Sequence, residues 1–390
     1  MGNGLKALFY MKNIDQNIVK IALKQCNSYR QDIVDRVIFE IFKLMGGIEQ
    51  FVKKGTTVLL KPNLLAPGHP DKARTTHPAV VIAIAKLVQE AGGIVSVGDS
   101  PAIKAGRLVA RSNGLLDACK RYDIPVKEFK KSVERKNLNG RIVKSFPVAE
   151  EVANADLVIN IPKIKTHGLT TFTCAVKNNF GCLVGLKKGQ YHVKFDNPYD
   201  FSQMLLDLYR CVQPGLTIVD GIVSMEGRGG PSTGTPVKTN MLLAGIDCVA
   251  LDIFICHLLG IDIEKVKTNK IALHEDYGVT DINSMEIVGD DVMFEGRFRY
   301  FSSERNSAWG LPKWAVKWLN DGLVPRPYSN NQCIGCGDCV EICPAKAISI
   351  IDKRQYIETK KCIRCYCCHE ICRYGAIDLI KPFGRRFFRT

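Results

Sequence analysis

No uninterrupted apolar run of 18 residues occurs in this 390-residue chain, so the sequence offers no membrane-spanning helix. The opening residues, MGNGLKALFYMKNIDQ, also lack the apolar stretch of a secretory signal. A cytoplasmic protein without a transmembrane segment is therefore expected, with peripheral membrane docking left open. No G-x-G-x-x-G follows a strand, and G-x-x-x-x-G-K-[ST] is missing altogether, so a nicotinamide Rossmann site and a Walker nucleotide site are poorly supported. The basic stretch from Arg107 to Lys144 lacks interleaved aromatics, and no nucleic-acid module is recognisable, so nucleic acid is not an expected partner.

Cysteine, by contrast, is abundant. Sixteen occur, and nine fall in two runs, CIGCGDCVEICP at 333–344 and CIRCYCCHEICR at 362–373. Each run reads C-x2-C-x2-C-x3-C, the spacing that holds paired cubane clusters, in which the fourth Cys serves the other cluster. Cys333, Cys336, Cys339 and Cys372 are thus expected to hold one [4Fe-4S] cluster. Cys362, Cys365, Cys368 and Cys343 are expected to hold the second. Zinc is the competing reading for sets of four thiolates, and the tandem spacing argues against it. Cys367 is an extra thiol, read as a bystander in the local core. Arg373 follows Cys372 where the first run has Pro344, and a positive charge there would raise the potential of the nearer cluster. The clusters point to a reducing compartment and an anaerobic cell.

The formal net charge is +15, partly offset by cluster thiolates. A solvated face is the plain reading of the basic Arg107–Lys144 stretch. The sharper one is attraction of an acidic protein partner or an anionic ligand.

Strand-like and helix-like stretches alternate through most of the chain. TTVLLKPNLL, IVSVGDSP, ADLVINIPKIKTH and LTIVDGIVSMEG read as buried strands ending in polar turns. Helices are expected at 78–92, opened by His77-Pro78, at 107–122, from about Thr170 to Asn179, and over DFSQMLLDLYRCV. TNMLLAGIDCVALDIFICHLLG reads as strand plus helix, interrupted by Asp247 and Asp252, and INSMEIVG as an edge strand. The fold class expected is α/β: a large open, mostly parallel sheet with helices on both faces, then a small α+β ferredoxin-like domain. Three regions are expected: 1–300 for the α/β domain, 301–328 for a Trp-rich connection, and 329–390 for the two-cluster domain with a basic tail. Trp309, Trp314 and Trp318 in the connection are read as a staple between the domains, or as a membrane-interface anchor.

Functional groups in such sheets gather at the carboxyl ends of strands. There the sequence places Lys61 and Asn63, Asp99, Lys163, Lys165 and His167, Lys177, Asp220 and Glu226. Lys163, Lys165 and His167 alternate along an extended chain and so point to one side. Such a set repels itself unless an anion or solvent separates it, which makes phosphate or carboxylate the natural ligand. Lys61, Asn63, Lys163, Lys165, His167 and Lys177 are the expected binding groups. Asp99, Asp220 and Glu226 are the expected acid–base groups, each equally suited to capping its own turn.

These pieces resemble the DUF362 family: KPNL at 61–64, GDSP at 98–101, PKIKTH at 162–167, KNNFG at 177–181, IVDGI at 218–222, EGRGGP at 226–231 and AGIDCVALD at 244–252. Members are uncharacterised and are often joined to a C-terminal ferredoxin-like domain. The resemblance implies the domain organisation and two clusters, and leaves the reaction open. The leading expectation is a ferredoxin-coupled oxidoreductase acting on an anionic small molecule, served by a redox protein partner. An additional organic redox cofactor, unidentified, fits where single-electron steps must be paired. Two alternatives stand beside it: an electron-transfer adaptor or maturation protein docking an acidic partner, and a non-redox enzyme whose clusters are structural or regulatory.

Overall fold

The computed structural model describes residues 18–101, 106–185, 187–301 and 324–380. The opening residues MGNGLKALFYMKNIDQ, the three tryptophans of the connection expected at 301–328 and the basic tail after residue 380 lie outside the described residues.

β1 (Val19–Gln25) and α1 (Gln31–Leu44) come first. They are followed by β2 (Thr57–Pro62), α2 (Pro78–Glu90), β3 (Ile94–Asp99), α3 (Gly106–Ser112), α4 (Leu115–Arg121) and β4 (Val126–Glu128). A hairpin of β5 (Ser132–Lys136) and β6 (Ser145–Ala149) and a short α5 (Glu150–Asn154) lead into β7 (Leu157–Ile161), β8 (Lys163–His167) and β9 (Thr171–Thr173). Next are α6 (Ala175–Asn178), α7 (Lys187–Lys194), α8 (Pro198–Val212), β10 (Leu216–Glu226) and β11 (Thr235–Gly245). α9 (Cys248–Leu258), α10 (Lys267–His274) and β12 (Met285–Gly289) finish the large sheet. The small module holds β13 (Arg326–Ser329), α11 (Asp338–Ile342), β14 (Ile348–Ile351), β15 (Arg354–Ile357), α12 (Cys367–Ile371) and β16 (Ile377–Ile380).

The main sheet runs β12-β1-β11-β10-β7-β2-β3-β4, with β8 and β9 branching from β10. Most pairings are parallel, but β11 is antiparallel to both β1 and β10, so the sheet is mixed. Alternation along β2 shows why helices cover both faces. Leu59 enters the core with α8 and α9, while Val58 and Leu60 enter the core with α1 and α2. Two apolar faces demand two helical layers.

Several local expectations needed correction. PKIKTH does not simply prolong β7: Pro162 breaks the run, and β8 then pairs with β10 and β9. The stretch from Thr170 is not helical at first, because Thr171–Thr173 form β9 before α6 begins. Threonine and phenylalanine favour the pleated state, and that preference wins over the four-residue helix that follows. Asp247 caps α9 by accepting from the N–H groups of Val249 and Ala250. Asp252, inside α9, reaches the start of α6, accepting from Ala175 N–H at 2.7 Å and Val176 N–H at 3.1 Å. That contact aims the next turn, which carries Lys177.

Candidate functional site

The cysteine spacing folds into two groups of thiols. Cys343, Cys362, Cys365 and Cys368 line one cavity, and Cys367 shares its wall. In the other group the Cys339 thiol is pushed up to about 12, first by burial and then by the sulfurs of Cys336, Cys372 and Cys333. Backbone N–H groups donate to three ligand sulfurs: Ala347 to Cys343 at 3.2 Å, Gln355 to Cys333 at 3.3 Å and Ala376 to Cys372 at 3.2 Å. Such bonds stabilise thiolate and tune the potential of a cluster. Among the described residues, no three His, Cys, Asp or Glu side chains converge tightly enough for a single ion. Thiols set apart around a cavity suit the cube better than mononuclear zinc.

Between this module and the ends of β2, β3 and β8 lies a cleft of about 100 Å³. Lys61 and Asn63 come from β2 and its turn, Asp99 from β3, Lys165 from β8, and Lys177 from α6. α7 adds Lys188 and His192, and the module closes the far side with Ile342, Cys367, Glu370 and Ile371. Cys367 therefore lines both the cleft and the cluster cavity.

The four lysines are not equivalent. Lys61 and Asp99, both buried, pair at 2.8 Å. Asp99 also accepts from Leu64 N–H at 2.7 Å. Gly181 presses on this pair so closely that an added Cβ would lie 1.9 Å from Asp99 Oδ1, which explains a glycine in KNNFG. Lys165 has only neutral acceptors, Asn63 Oδ1 at 2.6 Å and the Arg74 carbonyl at 2.7 Å. Lys188 likewise donates only to the carbonyl and hydroxyl of Ser100. Among the described residues Lys177 has neither a hydrogen bond nor an ion pair, and its ammonium faces Glu370 and Cys367 electrostatically.

Burial lowers the basicity of all three, well below the usual range for Lys165, where the charge of Lys177 adds to the effect. Lys188 falls to about 8, again through burial. His192 falls to about 4 by burial, so its ring is neutral, and its buried Nδ1 has no partner. Its plane stacks on Phe201 with centroids 4.3 Å apart. The cleft thus offers three buried lysines of lowered basicity, none of them ion-paired with a carboxylate among the described residues.

An amide ladder fixes the motifs to one another. Asn63 donates to Asn178 Oδ1 at 3.1 Å, and Asn178 donates to Asn160 Oδ1 at 2.8 Å. The asparagines of KPN and KNN thus set the height at which Lys165 meets the cleft.

Of the residues singled out in the sequence, Lys61, Asn63, Asp99, Lys165 and Lys177 line the cleft. Lys163 lies elsewhere, bound to Asp220 at 2.9 Å and to the Tyr29 hydroxyl at 2.6 Å. Asp220 also accepts from Tyr29 at 2.7 Å and from His77 N–H at 2.9 Å. Glu226 is held by Arg299, accepting from its Nε at 2.6 Å and its backbone N–H at 2.7 Å. His167 turns to the module, with Nε2 2.8 Å from Glu370 Oε1. Lys188, His192, Tyr29 and Arg74 carried no local signal: each acquires its role only through contacts distant in sequence.

An α/β domain closing a polar cleft against a paired-cubane module defines an iron–sulfur protein. The chain belongs to the DUF362 family, "Domain of unknown function (DUF362)", whose model matches residues 58–257, and a 4Fe-4S dicluster domain matches residues 332–382. The module accordingly holds two [4Fe-4S] clusters. The chain is similar to the thylakoid-associated protein sll1697 of Synechocystis sp. (strain ATCC 27184 / PCC 6803 / Kazusa), at 37% identity over 252 residues, covering 64% of this chain and 78% of that protein. Among solved structures it is similar to the lactate racemase apoprotein from Thermoanaerobacterium thermosaccharolyticum, with a TM-score of 0.42 at 13% identity, over 64% of this chain and 58% of that one.

Proposed function

We propose that the protein is a ferredoxin-coupled oxidoreductase that exchanges electrons with an anionic small molecule, or an anionic organic cofactor, held in the lysine-lined cleft. The observation that carries this reading is the shared wall. Cys367 borders both the cleft and the cavity enclosed by Cys343, Cys362, Cys365 and Cys368. When bound there, the cubane supplies single electrons at low potential.

The chain's own residues then do three things. Lys165 and Lys177, with no carboxylate ion-paired to them, hold the negative group of the ligand. Lys188, at about 8, stands near neutrality and is suited to giving a proton to a reduced ligand. Leu64, Leu65, Phe180 and Ile371 cover the remaining wall and exclude water from the charged groups. Asp99 pairs with Lys61 and positions it, and the ion pairs of Asp220 and Glu226 brace the strands that carry the site.

Electron paramagnetic resonance of the reduced full-length protein tests the reading. Inorganic phosphate or succinate, as anionic probes, should perturb the signal of the cluster held by Cys343, Cys362, Cys365 and Cys368. Lys177→Met should abolish the perturbation while leaving cluster content unchanged. No perturbation by either anion, or an equal one in the variant, would count against the cleft as the anion site.

A further inference from the structure

The two ends of the module differ in a way that assigns direction. At the cleft, Cys367 and Cys368 are buried, whereas Cys336, a ligand of the other cluster, is the one exposed cysteine among the described residues. Ile334, two residues from it, and Ile351 and Tyr356 on the β14–β15 hairpin are each more than half exposed. The loop carrying Cys333 and Cys336 lies against the turn between β14 and β15. Gln355 N–H donates to Cys333 Sγ at 3.3 Å, and a Cβ on Gly335 would come within 2.8 Å of the Lys353 carbonyl. The loop and the turn are therefore joined, and between them they carry the exposed Cys336, Ile334, Ile351 and Tyr356.

Exposed large apolar groups gathered at one spot mark an interaction surface more often than singly scattered ones do. The charge around them names the partner. Lys353 and Arg354 are both exposed, and among the described residues neither is ion-paired with a carboxylate. Arg354 acts electrostatically on the Cys333 thiol. Asp352 supplies one opposing carboxylate on the same turn, and the turn stays net positive. A second copy of this chain is disfavoured as the occupant, because its own formal net charge is +15.

We propose that this face is the port for an acidic one-electron carrier protein of low potential. One electron leaves the reduced centre of the carrier and arrives at the cubane held by Cys333, Cys336, Cys339 and Cys372. The carrier is oxidised by one electron and the module reduced by one, and no bond forms or breaks. The module then spans from port to cleft. The assignment holds whatever the cleft binds.

The test uses the full-length protein with both clusters loaded, reduced in a stopped-flow mixer by an acidic two-cluster ferredoxin, and separately by photoreduced deazariboflavin. The ferredoxin rate should fall with rising ionic strength. It should fall at least about tenfold in Ile334→Glu and in the Lys353→Glu/Arg354→Glu pair, as loss of steering and contact predicts. The deazariboflavin rate should not change. A ferredoxin rate untouched by these variants would overturn the port, as would a fall produced only by charge reversal at Lys136 and Arg141. All three tryptophans of the chain lie in its connecting segment, so a shift of tryptophan emission in Ile334→Glu would mean that this segment occupies the face, which also overturns it.

Discussion

His167 aims its Nε2 at Glu370 Oε1 across 2.8 Å, joining the strand that presents Lys165 to the helix that carries Cys367 and Cys368. Its Nδ1 accepts from the N–H groups of Leu169 at 3.0 Å and Thr170 at 3.3 Å, which assigns the ring proton to Nε2. Burial lowers the histidine to about 4, so a neutral imidazole lies against the Glu370 carboxylate. Glu370→Gln keeps the shape and removes the charge. Docking of the module should weaken, because the buried carboxylate that faces His167 and Lys177 loses its charge. Amide exchange at 167–170 should quicken with cluster absorbance intact, and unchanged exchange would remove the contact from the account.

Lys61 and Asp99 form a buried pair that one partner cannot leave without cost. Lys61→Met strands the carboxylate beside Gly181 and should destabilise the fold by about 3–5 kcal/mol in chemical denaturation. The double variant Lys61→Met/Asp99→Leu should lose less than the sum of the two single losses. Additive losses would mean that the pair is not coupled.

Acid should weaken the protein through His192. A histidine held at about 4 in the fold is neutral where the unfolded chain, near 6.5, already binds a proton. Its contribution is full above about 6.5 and is lost as pH falls toward about 4, at up to about 1.4 kcal/mol per pH unit. His192→Gln should flatten the fall of the urea midpoint over that window. Parallel curves for the two proteins would show that His192 titrates normally.

Arg74 reaches from the large domain toward Cys372. It donates to the carbonyls of Ser232 at 2.5 Å and Arg373 at 3.1 Å, so no carboxylate offsets its charge. Arg373, by contrast, is paired with Asp338 at 3.3 Å. A nearby positive charge favours the more negative, reduced cluster. In a redox titration, Arg74→Gln should lower the potential of the cluster proposed to be held by Cys333, Cys336, Cys339 and Cys372, and by more than Arg373→Ala does. The reverse order would return the tuning role to Arg373.

What the sequence disclosed followed the range of the forces involved. Ligand spacing, the His77-Pro78 helix start and the alternation of strands and helices are local, and they were legible. The clustering of Lys61, Asn63, Lys165 and Lys177 was visible as a set of strand-end motifs, because an α/β sheet brings such ends together. Lys163 seemed equivalent to Lys165, since alternation gives both the same side. Only Tyr29 and Asp220, distant in sequence, distinguish a neutralised lysine from an available one. Lys188 was hidden for the same reason, as burial against Ser100 is a tertiary fact. Asp252 looked like an interruption of an apolar run and proved to be the anchor of α6.

The most direct test of the central claim is anaerobic. The full-length protein, with its clusters reduced, is followed by visible absorption while fractionated acidic small molecules are added. The account predicts that one fraction reoxidises the clusters and is itself chemically changed, and that Lys165→Met/Lys177→Met abolishes this with iron content intact. Reoxidation by no small molecule, or at the same rate in the double variant, would contradict an electron-exchanging anion site in the cleft.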